Sequence, residues 1–195
     1  MPSKRILCPL CDRPKQRCLC PFITPTDNRT FTLILQHPDE TAHAKNTGEL
    51  LHRSLNHSQL LIGEQFNPAQ LEAYLQQAVL LYPPTDGGPA ANTPPPDQPK
   101  TLIIIDATWR KSHKMLFLNP TLAKLPRLSL SKEYSGNYRI RKAKNNWQLS
   151  TLEASCYALQ QLETCEATYR PLLNHFDQFM DTLVGFDPNR SKPIN

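Results

Sequence analysis

The chain has 195 residues, 39% of them hydrophobic and 20% charged, which suits one domain with a small appendage. No apolar run approaches the ~18–20 residues of a membrane span. The N-terminus carries no signal-type apolar core, so the sequence reads as soluble and cytoplasmic, with no membrane partner. The net charge of +5 is uneven: +4 over residues 1–30, −5 over 31–99, +9 over 100–150 and −3 over 151–195. A segment of +9 points to an anionic partner. Its cations interleave with Trp109, Tyr134, Tyr138 and Trp147, the pattern of base stacking plus phosphate contact, which favours nucleic acid over a merely solvated basic face.

In chain order, the first feature is Cys8, Cys11, Cys18 and Cys20, spaced C-x2-C-x6-C-x-C among prolines. Four thiolates at this spacing suit a tetrahedral zinc ion in a closed, structural site. An iron–sulfur cluster is the other metal option. Disulfides are disfavoured without a secretory signal. Residues 1–29 therefore read as a zinc-binding module, and residues 30–195 as the main domain.

Thr30 to Gln36 reads as a strand ending at the turn His37-Pro38-Asp39-Glu40. His37 is either a ligand or base, or a turn histidine bonded to backbone, and the second reading is favoured. Thr41 to Leu55 has a helical pattern interrupted at Asn46-Thr47-Gly48. A glycine there marks a kink or a close approach. Leu60 to Phe66 reads as a strand, Pro68 to Gln77 as a short helix with proline at its start, and Ala78 to Tyr82 as a third strand. Residues 84–99 are proline-rich, with two glycines, and read as a mobile insertion.

The stretch Thr101 to Met115 organises the rest. Its β-branched run to Ile105 reads as a buried strand. The strand stops at Asp106, where open α/β sheets bind ligands beyond their carboxyl ends. Thr108 then stands as a cap for a helix starting at Trp109 and running to about Leu118. Arg127 to Leu130 reads as a fifth strand. Ser131 to Asn146 is polar, basic and aromatic, and reads as a functional loop. Ser150-Thr151-Leu152-Glu153 is a capping box opening a helix to about Leu162. Pro171 to Val184 reads as a last amphipathic helix. Cys156 and Cys165 read as ordinary helix cysteines. Alternating strands and helices give an α/β fold with a mainly parallel sheet. No G-x-G-x-x-G, P-loop or G-x-S-x-G is present, which removes support for dinucleotide, P-loop and α/β-hydrolase chemistry.

The four cysteines, His37-Pro38-x-Glu40, Asn46-Thr47-Gly48, Leu81-Tyr82-Pro83, Asp106-Ala107-Thr108-Trp109, Tyr138-x-x-Arg141 and Ser150-Thr151-x-Glu153-Ala154 together resemble the DTW-domain family. Within it they most resemble the bacterial tRNA-uridine aminocarboxypropyltransferases. Ala107 departs from the glycine more usual there. The resemblance implies a SPOUT-like fold with a C-terminal trefoil knot. It also implies S-adenosylmethionine as co-substrate, tRNA as partner, and transfer of the 3-amino-3-carboxypropyl group to N3 of a uridine, at position 47 of the variable loop. It places the donor against Leu81, Tyr82, Pro83, Asp106, Thr108, Trp109, Leu130, Ser150 and Thr151, with its carboxylate at a helix N-terminus. Asp106 is the candidate general base or orienting group. Arg110, Lys111, Tyr138, Arg139, Arg141, Lys142 and Lys144 are the candidate RNA contacts. A methyltransferase using the same donor, or a non-catalytic zinc-containing RNA-binding protein, are the alternatives.

Overall fold

In the computed structural model, residues 6–41, 43, 45–83, 96–130 and 149–185 are described. Five parallel strands form one sheet in the order β2-β1-β4-β3-β5. They are β1 (Phe31–Gln36), β2 (Ser58–Ile62), β3 (Ala78–Leu81), β4 (Thr101–Asp106) and β5 (Arg127–Leu128). The three central strands are apolar on both faces because helices cover both sides, the rule for parallel sheets.

Strand alternation sorts the core into two. Ile34, Leu102 and Ile104 face Leu50, Leu51, Leu152, Leu159, Tyr169 and Phe176. These belong to α1 (Thr47–Ser54), α5 (Thr151–Glu163) and α6 (Glu166–Gly185). Leu33, Leu35, Leu80 and Ile103 face Leu71, Met115, Leu116 and Leu122, from α2 (Pro68–Leu75), α3 (Trp109–Leu118) and the short α4 (Pro120–Ala123).

Several boundaries differ from the sequence expectation. The helix expected from Thr41 begins only at Thr47, because the Asn46 side chain caps it by accepting from Glu49 N at 2.9 Å. A 3-10 turn, Pro38–Glu40, precedes it. β2 starts and ends earlier than expected, and β5 keeps only two residues. The last helix starts at Glu166, with Pro171 inside it. Packing decides this: Tyr169 is fully buried, so the turn before the proline is drawn into the helix despite the hydrogen bond that Pro171 cannot donate. The α/β class and the parallel sheet stand as expected. The described residues do not trace the expected C-terminal knot, because residues 131–148 lie outside them.

Candidate functional site

β1 and β4 run in register, with Gln36 opposite Asp106 at their carboxyl ends. Both side chains fall on the face that α1 and α5 cover. Asp106 is only 7% exposed. Its Oδ2 accepts from Gln36 Nε2 at 2.7 Å, and its Oδ1 from Thr151 Oγ1 at 2.6 Å. Gln36 Nε2 also donates to Asn46 Oδ1 at 2.7 Å. Three segments distant in sequence therefore meet at this carboxylate, and Asn46 joins them through Gln36. Burial holds the Asp106 carboxyl above its ordinary range, while the bonds from Thr151 and Gln36 draw it partly back.

Gly48, in the first turn of α1, completes this contact. A Cβ at that position would fall on Asp106 Oδ2 and lie 2.9 Å from its Cγ. The sequence reading left a kink or a close approach open here, and the glycine serves a close approach. Gln36 was not singled out from the sequence. Its signal was the alternation Thr32, Ile34, Gln36, which runs in step with Leu102, Ile104, Asp106.

The other residues expected to line the site gather along the same sheet edge. Leu81 pairs with Leu128 and with Ile104, and Tyr82 N donates to Leu128 O at 3.2 Å. Tyr82 is buried, its hydroxyl 3.0 Å from Ser112 Oγ. Pro83 and Thr108 are exposed and Leu130 is half-buried. Trp109 stands at the rim, 52% exposed, edge-on to Tyr82 with ring centroids 5.5 Å apart. The Arg127 guanidinium lies over the other side of that neighbourhood, its Cζ 5.1 Å from the Tyr82 centroid.

The two helix starts at this edge differ. Ser150 and Glu153 form the expected capping box: Ser150 Oγ accepts from Glu153 N at 3.2 Å, and Glu153 Oε2 accepts from Ser150 N at 2.9 Å. The start of α5 thus already holds a carboxylate of its own. Thr108 occupies the N-cap position of α3, but its side chain makes no capping bond. Among the described residues no side chain caps the first amides of α3, which form an open positive helix end.

His37 behaves as the favoured turn reading expected. Its Nδ1 accepts from Asp39 N at 3.1 Å, so Nε2 donates to Glu64 Oε1 at 2.6 Å. Lys114 also binds Glu64, at 2.7 Å, and together with His37 holds that carboxyl below its usual range. Lys111 is paired with Asp39 and Glu40, each at 3.2 Å, whereas Arg110 is exposed with no acidic partner among the described residues. Tyr138, Arg139, Arg141, Lys142 and Lys144 lie outside the described residues.

The Sγ atoms of Cys8, Cys11, Cys18 and Cys20 lie within 4.8 Å of one another. Cys8 and Cys20 are 3.9 Å apart, Cys11 and Cys18 3.7 Å. A tetrahedral ion with Zn–S bonds of about 2.3 Å needs sulfur–sulfur edges of about 3.8 Å. The donor set fits one such ion. The backbone amides of Leu10 and Cys11 hold the Cys8 thiol down to about 6, whereas burial pushes Cys20 up to about 12. A cation is what would ionise all four together.

This cysteine knuckle is anchored to α1. Arg13 donates to Glu49 Oε2 at 3.1 Å, Arg53 donates to Glu49 Oε1 at 3.0 Å, and Arg53 also reaches Leu10 O at 3.1 Å. Leu19 is fully buried in the core between α1, α5 and α6.

The DTW domain profile matches residues 5–184 of the chain. The chain is 33% identical over 175 residues to tRNA-uridine aminocarboxypropyltransferase 2 of Macaca fascicularis, covering 83% of this chain and 58% of the relative. It is 31% identical over 173 residues to the protein of the same name from Drosophila melanogaster, covering 84% and 69%. It is 30% identical over 138 residues to tRNA-uridine aminocarboxypropyltransferase A of Arabidopsis thaliana, covering 58% and 51%. The chain spans roughly three fifths of the length of its macaque and mouse relatives. No solved structure matches it. A match of this extent shows that the chain belongs to the DTW-domain family.

Proposed function

We propose that the chain is a tRNA-modifying transferase, moving the 3-amino-3-carboxypropyl group of S-adenosylmethionine to N3 of a uridine, at position 47 in the variable loop. The observation that carries this is the family match over residues 5–184, together with relatives named as tRNA-uridine aminocarboxypropyltransferases at 30–33% identity. In the reaction the Cγ–S bond of the sulfonium breaks, an N3–Cγ bond forms, the N3 proton leaves, and methylthioadenosine is released.

The sulfonium of the donor activates three adjacent carbons, so the protein's task is to select one of them by orientation. Leu81, Tyr82, Pro83 and Leu130 supply an apolar flank for the donor at the sheet edge, with Thr108, Ser150 and Thr151 as polar neighbours. Trp109 closes the rim. The open start of α3 suits the donor's carboxylate better than α5, whose start holds Glu153. Of the two roles for Asp106, the orienting one is better supported. It is buried and both its oxygens are engaged. Each oxygen keeps a second lone pair, but burial gives a substrate N3 little access to it. Asp106 thus positions the starts of α1 and α5 against the strand ends, and the SPOUT-like arrangement with a knot is the context we assign to it. Support for that context comes from the chain's return from β5, at the sheet edge, to Thr151 beside β4.

Zinc is the ion proposed for Cys8, Cys11, Cys18 and Cys20. With all four positions filled by thiolate, its role is structural. RNA phosphates fall to Arg110, Arg139, Arg141, Lys142 and Lys144, with Tyr138 stacking on a base. Lys111 already has acidic partners on this side of the molecule.

The test is mass spectrometry of nucleosides from tRNA incubated with the protein and S-adenosylmethionine labelled in the aminocarboxypropyl chain. A labelled uridine is expected. A gain of one methyl without label would replace the reaction with methyl transfer. Unmodified tRNA that nevertheless binds the protein would leave a non-catalytic RNA-binding role.

A further inference from the structure

α3 has an unusual outer surface. Its sequence, W-R-K-S-H-K-M-L-F-L, contains three cations and no acid. Ser112, Met115 and Leu116 face inward and are buried. Trp109, His113 and Phe117 recur every four residues on the outside. Trp109 is 52% and Phe117 83% exposed, and His113 is exposed as well. Residues four apart on a helix are separated by about 6 Å along its axis, and the Trp109 and His113 ring centroids are 6.3 Å apart. Tyr82 stands edge-on to both rings, at 5.5 and 6.0 Å, and fixes the inner end of the row.

A cation follows each of the first two rings in sequence: Arg110 after Trp109, Lys114 after His113. On a helix this sets a basic stripe alongside the aromatic one. Arg110 is exposed, and the Lys114 side chain stays 58% exposed although it binds Glu64. Trp109 and Phe117 keep exposed apolar area along one face of the helix, and a contiguous exposed row of this kind marks an interaction surface. Rings presenting free faces beside cations match one occupant chemically: unpaired nucleotides, whose bases stack and whose phosphates meet the basic stripe.

We infer that the outer face of α3, formed by Trp109, His113 and Phe117 with Arg110 and Lys114, is a stacking platform for unpaired bases of the RNA substrate, leading from the rim of the site outward. This rests on the proposed tRNA function. It places RNA contact on a rigid helix, in addition to the contacts assigned to Tyr138 and its basic neighbours.

The test measures the affinity of an unmodified tRNA transcript for wild type and for Phe117→Leu, Phe117→Tyr and His113→Ala, with near-UV circular dichroism and thermal melting as folding controls. A fully paired RNA duplex serves as second ligand. Phe117→Leu keeps an apolar side chain and removes the π face. Each loss of a ring is expected to weaken tRNA binding by about 5- to 100-fold, with Phe117→Tyr retaining affinity and duplex binding little changed. Wild-type tRNA affinity in Phe117→Leu and His113→Ala would overturn the platform while leaving the proposed function standing. Failure of wild type to bind tRNA would overturn both. A wild-type dimer by light scattering that Phe117→Leu converts to monomer would assign this face to a second copy of the chain and overturn the inference.

Discussion

Gly48 lies directly against Asp106, and a Cβ at 48 would overlap the Asp106 Oδ2 atom. The obstacle is a buried carboxylate already held by two donors, which has nowhere to move. Gly48→Ala is therefore expected to cost about 1–3 kcal/mol of stability, the range for overpacking a closed site. Denaturant titration measures it. In an Asp106→Ala background the same substitution should cost much less, and a cycle in which the two effects simply add would refute the contact.

Thr151 donates to the other oxygen of Asp106 at 2.6 Å. Thr151→Val keeps the shape and removes the donor, so the buried carboxylate loses one of its two side-chain partners. The expected loss is about 1–3 kcal/mol, with Thr151→Ser close to wild type. Under the proposed function, Thr151→Val also lowers turnover more than it changes tRNA affinity. Equal stability of the Val and Ser variants would show that the bond contributes nothing.

The raised carboxyl of Asp106 has a consequence with a definite sign. An acid that holds its proton more tightly in the folded state stabilises the fold below its ordinary value of about 3.9. That contribution is lost as pH rises through the raised folded value. Asp106→Asn does not titrate. The melting temperature of wild type relative to Asp106→Asn should therefore fall between pH 4 and pH 7. A relative melting temperature that rises over this interval would mean that the bonds from Gln36 and Thr151 outweigh burial. Under the proposed reaction, Asp106→Asn loses most turnover while tRNA binding is nearly unchanged.

The cysteine knuckle makes the metal prediction specific. Metal analysis of the purified protein should find one zinc per chain, lost with Cys11→Ser. Strong chelation should lower the melting temperature, because Leu19 and the cysteines contribute to the same core as α1, α5 and α6. An iron content with visible charge-transfer absorption would replace zinc by iron at the same ligands.

The sequence carried the sheet well. The apolar runs within Phe31–Gln36 and Thr101–Asp106 read as strands, and both are buried. The capping box at Ser150 was equally legible, because its two reciprocal bonds are local. Long-range contacts decided what was not legible. Asn46 ends one segment and starts α1 only because Gln36 and Glu49 converge on its side chain. The helix turn before Pro171 exists because Tyr169 is buried. Lys111 stands among the candidate RNA contacts, yet Asp39 and Glu40 reach it from the turn after β1. Asp106 was visible as a strand-end acid, but its enclosure by Gln36, Gly48 and Thr151 draws on residues as much as 70 positions away from it, which no local pattern encodes.

The single helix α1, eight residues long, touches two structures that the sequence separates. Its third residue, Glu49, grips Arg13 of the cysteine knuckle, and its cap, Asn46, holds the Gln36 that holds Asp106. A chain begun at residue 30 would keep all five strands. It would also strip Leu19, Phe22 and Ile23 from the core shared by α1, α5 and α6, and remove one of the two guanidinium groups bound to Glu49 in the first turn of α1. Damage to the thiols, by oxidation or by a competing metal, would for the same reason be registered across the first turn of that helix, as a loosened carboxylate rather than as a missing ligand.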